Sequence, residues 1–198
     1  MLKRIIILVP VLLTLVALLV FTQVNRGLAQ TSDDAIKNAM SAAPMSIAMD
    51  ATIMGWPTKA GGDLSVLRKG TNDWTCFPDD PTSPGNDPAC YDKTWMAWIP
   101  ALVSKTEPKT AVPGFAYMLQ GGSTASNTDP FASLPLTDTK WQTDAPHIMV
   151  IIPGKWDTKA FATKMSTGGP YVMWAGTPYE HLMVPVTDVD AMNMDAMK

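Results

Sequence analysis

The stretch HIMVIIP, residues 147–153, is an apolar run that ends at a proline and predicts a buried strand. A second apolar stretch, HLMVPV, covers residues 181–186. It follows PYVMW and AGTPYE, and together the three fragments predict a hairpin. In a strand, residues i and i+2 point to the same face of the sheet. Each of these two strands therefore carries a histidine and a methionine side by side.

The N-terminal part of the chain predicts a helix, a strand and a hairpin in turn. The helix begins near Ser32 and ends before Pro44. The segment 46–54 alternates enough for a strand. The segment 64–76 predicts a hairpin that turns at residues 69–72.

The middle of the chain predicts a helix over residues 91–105, with Asp92 as its N-cap. Pro100 lies inside this segment and is expected to kink or split it. A strand is predicted at 114–119 and a short helix at 156–169. The apolar stripe of the first helix has helical spacing, is typical of a core face, and comprises Trp95, Trp98, Ile99 and Leu102.

This element order predicts an α+β fold with a mainly antiparallel sheet and helices packed on one face. The alternative is a β-sandwich with helical insertions. The polar segment 120–140 is longer than most loops, and such segments are often functional or disordered.

Residues 1–29 predict a signal peptide. Two basic residues precede an apolar run at 5–21, and small residues at 27–29 suit a cleavage site. Cleavage leaves one α+β domain at 30–186 and a flexible, methionine-rich tail at 187–198. The protein is therefore expected in the periplasm or secreted. The alternative is an anchor formed by an uncleaved N-terminal segment.

Charge and motifs exclude several partners and cofactors. Loss of Lys3, Arg4 and Arg26 with the signal peptide, and of no acidic residue, changes the net charge from −3 to −6. That balance argues against nucleic acid, and against a membrane surface for the mature domain. The sequence has neither G-x-G-x-x-G nor a P-loop motif, so no nucleotide cofactor is expected.

Cys76 and Cys90 are the two cysteines of the chain. An even pair at short spacing in an exported protein predicts a disulfide. The alternative is a pair of thiolate metal ligands. The loop between them carries acidic residues of the kind that bind Ca²⁺, but their spacing beside prolines is more typical of turns; they are Asp79, Asp80 and Asp87.

Both histidines of the chain are followed two positions later by methionine. If the two strands are neighbours, His147, Met149, His181 and Met183 converge. Two imidazoles and two thioethers are competent to bind Cu(I), and imidazole also accepts Cu(II). The alternative is core packing, with methionine filling space and each neutral histidine bonded to a backbone carbonyl.

An enzyme site is a further alternative. Glu180, beside Tyr179, is a candidate third metal ligand or acid/base group. The histidines would then line an open cleft with polar loop residues such as Ser123 or Asp129. Motifs typical of zinc hydrolases and of serine hydrolases, H-E-x-x-H and G-x-S-x-G, are absent from the sequence.

Four stretches resemble known proteins: LRKGTNDWTCFPDDPTSPGNDPAC, AYMLQGGSTASNTDPFA, PHIMV and GGPYVMWAGTPYEHLMVPV. Together they resemble a family of exported bacterial proteins, over roughly residues 45–186. This resemblance implies export and no particular activity. The His-x-Met units are also similar to those of exported, cupredoxin-like copper carriers, although the spacing from Met149 to His181 departs from that pattern.

The sequence leaves three classes of function open. The first is an exported ligand-binding protein, in its sharpest form a copper protein, with the tail methionines as a weak capture arm: Met192, Met194 and Met197. The second is a secreted metal-dependent or hydrolytic enzyme. The third is a structural or interaction protein of the cell envelope.

Overall fold

A computed structural model describes residues 31–59, 61–136, 140–164 and 168–187. The predicted signal peptide and all but the first residue of the predicted tail lie outside the described residues. Three helices are described: α1 (Ser32–Met40), α2 (Met45–Ala48) and α3 (Lys93–Val103). The described strands are β1 (Thr52–Gly55), β2 (Ser65–Arg68), β3 (Thr75–Phe77), β4 (Ala89–Tyr91), β5 (Gly114–Met118), β6 (Gly122–Thr124), β7 (Gln142–Asp144), β8 (His147–Ile151), β9 (Tyr171–Met173) and β10 (His181–Pro185).

Eight of these strands form one sheet, in the order β2-β1-β3-β4-β5-β8-β10-β9. Neighbours are antiparallel except β1 and β3, which are parallel. Strands β6 and β7 pair separately as a two-stranded ladder. The predicted α+β class with a mainly antiparallel sheet is confirmed.

Helix α3 covers one face of this sheet. Its two tryptophans, Trp95 and Trp98, are buried against side chains of β5, β8, β9 and β10. Those side chains include Ala116 and Met149, which lie opposite each other in the β5–β8 register. The helix runs unbroken through Pro100 rather than splitting there.

Helix α1 covers the opposite face. Ala39 packs in a second core with Ile53 and with both cysteines. Cys90 belongs to this second core, whereas Tyr91 packs against the first. Because these two residues follow each other in β4, they point to opposite faces, and the two cores lie on opposite sides of the sheet. The helices thus lie on both faces, although the sequence led us to expect one.

Cys76 and Cys90 form a disulfide between β3 and β4. They lie directly opposite each other in the antiparallel register, with Cα atoms 4.0 Å apart. Both residues are fully buried under α1. The disulfide prediction is confirmed, and the thiolate-ligand alternative is wrong.

The predicted hairpin at 64–76 is wrong, because β1 lies between β2 and β3. The turn after β2 instead wraps around the residues that precede β1, and Thr71 N donates to Asp50 O. A Cβ at Gly70 would lie 2.3 Å from Thr52 N, so only glycine permits this approach. A glycine turn between two apolar runs looks the same in sequence whether or not those runs pair.

The predicted strand at 46–54 is wrong in its first half. Pro44 begins helix α2 rather than only ending α1, since Pro44 O accepts from Ile47 N and Ala48 N. Ala48 is fully buried in the second core, beneath α1. The strand itself begins at Thr52.

The predicted helix at 156–169 is not formed by its described residues, which include turns, bends and an isolated bridge from Ala162 to Tyr171. Asp157 Oδ1 accepts from Lys159 N, an Asx turn that competes with helix formation. Residues 165–167 of this segment lie outside the described residues.

Most of the polar segment 120–140 is described and ordered against the domain. Its beginning is β6, which pairs with β7. Asn127 Nδ2 donates to Thr163 O, and Asn127 O accepts from Trp174 N. The described ranges contain no helix long and apolar enough to span a bilayer.

Replacing both cysteines by alanine is expected to lower the free energy of unfolding by about 3 kcal/mol. The disulfide joins residues 14 positions apart, and closing a loop of about 15 residues stabilises a fold by about that amount. Urea denaturation at neutral pH measures this loss. Reductant should destabilise the wild type by a similar amount and leave the double variant unchanged. A loss below about 1 kcal/mol would contradict the stabilising role.

Candidate ligand cavity

A cavity of about 490 Å³ lies between helix α3 and the sheet. This volume is within the range typical of small-molecule sites. The sheet contributes Phe77, Tyr91, Met118, His147, Met149, Met173, His181 and Met183. Helix α3 contributes Trp95, Trp98, Ile99, Leu102 and Val103. The β6–β7 ladder contributes Gly122, Ser123, Thr124 and Asp144, and other segments contribute Trp56, Pro57, Leu64 and Trp174.

The cavity has an exposed rim and a buried interior. Leu64 and Val103 line it and are 45% and 76% exposed. Their exposure places them at its mouth. Trp95 and Met183 line it and are 3% and 2% exposed, so they lie at its deep wall.

All four predicted metal ligands line this one cavity. Met149 and Met183 are direct partners in the β8–β10 register. His147 lies opposite Pro185, whereas His181 lies opposite Met173 of β9. The methionine pair therefore lies between the two imidazoles along the strands.

His147 is held as a neutral imidazole. Its Nδ1 lies 2.6 Å from Ala145 O, and because a carbonyl only accepts, Nδ1 carries the proton. Burial lowers the pKa of His147 to about 4. Its Nε2 is thus an unprotonated acceptor, and it is buried without a hydrogen-bond partner.

His181 is also neutral and is surrounded by indole rings. Its Nδ1 donates to Tyr179 O at 3.1 Å. Burial lowers its pKa to about 4, and the nearby His147 adds to that effect. Three rings meet it edge to face, with centroids at 5.0 Å for Trp174, 5.5 Å for Trp95 and 6.4 Å for Trp98.

Asp144 supplies a buried carboxyl group at the end of β7. It is 5% exposed, and its Oδ1 accepts from Tyr171 Oη at 2.9 Å. Burial raises its pKa to about 6, which the hydrogen bond from Tyr171 partly opposes. Burying a carboxylate without a cationic partner costs free energy. Buried carboxyl groups with a shifted pKa are often found in functional sites.

Trp174 is held in the left-handed backbone region, at φ 54°. This conformation costs a bulky residue roughly 1–2 kcal/mol. Backbone and side-chain bonds maintain it, because Trp174 N donates to Asn127 O and its Nε1 donates to Ser126 O. The segment 120–140 therefore positions the indole that covers His181.

The accessory residues of the enzyme hypothesis lie elsewhere. Glu180 Oε1 and Oε2 accept from the backbone N–H groups of Trp156 and Gly176, so this carboxylate fastens two turns. Tyr179 Oη donates to Thr106 O. Neither residue lines the cavity.

Of the two loop residues, only Ser123 lines the cavity. Its Oγ accepts from Gly85 N, and no described bond joins it to a histidine. Asp129 Oδ1 instead accepts from Phe131 N within its own turn. The hydrolase arrangement of serine, histidine and acid is therefore not assembled among the described residues.

Asp144 and Trp174 are two of the cavity residues that the sequence did not indicate. Asp144 precedes the buried strand β8, and an acid beside an apolar run is the signal that identifies it. Trp174 carries no such signal, since its role depends on its backbone conformation and on bonds to residues 126 and 127. Trp95 and Trp98 were predicted as core residues and also line the cavity.

The described ranges contain no cluster of three or more His, Cys, Asp or Glu side chains arranged to hold a metal ion. The acidic loop between the cysteines is bonded internally. Asp79 Oδ1 accepts from Asp87 N, and Asp87 Oδ1 accepts from Asp80 N. This agrees with turn chemistry rather than a calcium site.

A comparison with family models, with curated proteins and with solved structures finds no match for this chain. Its function is therefore inferred from the geometry of the cavity.

The buried histidines should make the fold sensitive to acid. Their pKa values are about 4 in the fold against an ordinary 6.5, so stability present at neutral pH is lost as the pH falls through this interval. Asp144 acts oppositely, because its raised pKa makes its burial less costly in acid. Burial also raises the pKa of Asp87, which acts in the same direction as Asp144, so the contribution of a histidine is measured by replacing it.

His181→Phe keeps an aromatic ring and removes the titration. Its loss of unfolding free energy between about pH 7 and about pH 4.5 should be smaller than that of the wild type by about 2 kcal/mol. Chemical denaturation at both pH values measures this. Trp98→Phe, a neighbour that does not titrate, should show the wild-type pH dependence. An unchanged pH dependence in His181→Phe would show that His181 is not buried in neutral form.

Proposed function

We propose that the chain binds a small molecule with a largely apolar body in the cavity beneath helix α3. One observation carries this proposal: a cavity of about 490 Å³, walled by aromatic and methionine side chains, also contains the unpartnered Nε2 of His147. Ligand sites typically combine apolar walls with a few polar groups that orient the ligand.

The packing around the cavity supports a preformed site. The tryptophan rings contact one another and His181, with Trp95 and Trp98 centroids 4.9 Å apart. Aromatic side chains offer large contact areas with few rotatable bonds, so little entropy is lost when a ligand binds. Methionines in the sheet provide an adaptable opposite wall.

The hydrogen bonds of the candidate catalytic residues favour a binding protein over an enzyme. Glu180 and Ser123 already serve in hydrogen bonds to backbone amides. In the usual acyl-transfer site a serine or cysteine is bonded to a histidine, and no such bond is found among the described residues that line the cavity.

The proposal includes export. The disulfide is at the centre of the sheet, and such bonds persist in oxidising compartments. We therefore place the binding reaction in the periplasm or outside the cell.

The test is a titration of the mature chain with the neutral fluorophore N-phenylnaphthylamine. One-to-one binding with enhanced dye fluorescence is expected, because the dye leaves water for an apolar cavity. Met118→Trp places an indole in the cavity and should weaken binding at least about tenfold, or about 1.4 kcal/mol.

The matched control is Leu134→Trp, which adds the same ring at a residue that is 70% exposed and outside the cavity. It should bind like the wild type. Circular dichroism checks that both variants fold. An equal loss of dye affinity in both variants, or an unchanged affinity in Met118→Trp, would contradict the proposal.

Copper binding is a second candidate, favoured by the register of the sheet. Met149 faces Met183, and Met173 faces His181, while His181 and Met183 are two apart on β10. Directly opposite Cβ atoms lie roughly 5 Å apart. Three thioethers and one imidazole form a set suited to Cu(I), more compact than the set that includes His147.

A Cu(I) competition titration distinguishes this candidate. Binding should be one to one and should be weakened at least about tenfold by Met183→Leu, which preserves the volume but removes the sulfur. Met45→Leu, at an exposed site, is the control and should bind like the wild type. Absence of Cu(I) binding, or equal binding by Met183→Leu, would contradict a copper function and leave the small-molecule proposal intact.

A further inference from the structure

The cavity has one polar end. Asp144 and Gly122 are register partners in the β6–β7 ladder, and His147 is the partner of Met118, four residues before Gly122. All four line the cavity. Asp144 and His147 therefore face the same part of the interior, where the ladder meets the sheet.

That end is rich in hydrogen-bond acceptors. His147 Nε2 is an acceptor without a partner, because its proton is on Nδ1. Asp144 is a carboxyl group whose only described hydrogen-bond donor is Tyr171 Oη. A ligand group with several donors would satisfy both residues.

The lining of the cavity carries no positively charged side chain among the described residues. Among the described residues that line the cavity there is no lysine and no arginine. Buried carboxylates are normally paired with a cation, whereas the donor to Asp144 among the described residues is the phenol of Tyr171. A ligand with a positive charge would supply the partner that the Asp144 carboxylate lacks among the residues that line the cavity.

The aromatic walls also favour a cation. The faces of Trp, Tyr and Phe rings attract ammonium groups electrostatically, and more so when the site is shielded from water. Trp56, Phe77, Tyr91 and Trp95 all line the cavity. An ammonium group and an apolar body would therefore both find complementary surroundings.

We infer that the ligand is an amphipathic amine, whose ammonium group lies between Asp144 and His147 and whose apolar body lies among the tryptophans and methionines. This inference rests on the proposed function, since it names the ligand class of the same cavity. A charge-assisted hydrogen bond to Asp144 is stronger than one between neutral groups and provides the selectivity.

The experiment compares three probes with one skeleton: naphthylethylamine, naphthylethanol and ethylnaphthalene. Each is titrated against the mature chain by isothermal calorimetry. The amine should bind at least about tenfold more tightly than the alcohol or the hydrocarbon. Asp144→Asn keeps the shape and removes the charge, so it should abolish this preference while ethylnaphthalene binds as before.

Asp129→Asn is the matched control, since this aspartate lies outside the cavity and asparagine keeps its acceptor. It should retain the full preference for the amine. Ethylnaphthalene binding by Asp144→Asn also reports that this variant is folded. If that variant fails to fold, the preference of the wild type for the amine over the alcohol still decides.

The outcomes separate the two claims. Equal affinity for the three probes, or an amine preference that survives in folded Asp144→Asn, would overturn the amine inference and leave the proposed function standing. If the wild type binds none of the three probes and also fails to bind the neutral fluorophore, the proposed function fails and the inference fails with it.

Discussion

The cavity depends on the two hydrogen bonds that the carboxylate of Asp92 accepts. Its Oδ1 accepts from Trp95 N and caps α3, and its Oδ2 accepts from Phe115 N in β5. One side chain thus fixes both the start of the helix and its attachment to the sheet. The indoles of Trp95 and Trp98 are held over the sheet as a result, and the space they leave open beside the sheet is the cavity.

The polar groups of that cavity are prepared by the backbone around them. The Nδ1–H groups of His147 and His181 donate to the carbonyl oxygens of Ala145 and Tyr179, which fixes the tautomer, and burial keeps both rings neutral. Asp144 is the one carboxyl group among the described residues that line the cavity. The unpartnered His147 Nε2 and the Asp144 carboxyl group suit a ligand group that brings its own donors.

Much of this could be predicted where local chemistry decides. The apolar runs of β8 and β10, the Asp92 cap, the apolar stripe of α3 and the cysteine pair all act over a few residues, and the structure contains them. The 64–76 hairpin could not be judged locally, since strand order depends on which strand inserts between two others. Trp174 depends on bonds to a distant segment, so its role was invisible in sequence.

The central claim is that the cavity beneath α3 is a binding site, and methyl NMR of methionine tests it most directly. Met118, Met149, Met173 and Met183 line the cavity, whereas Met45 and Met49 are exposed outside it. Titration with ethylnaphthalene should shift the four cavity methyl signals together to saturation and leave the two exposed ones in place. Shifts confined to the exposed methionines, or no saturable shift in the four, would contradict the account.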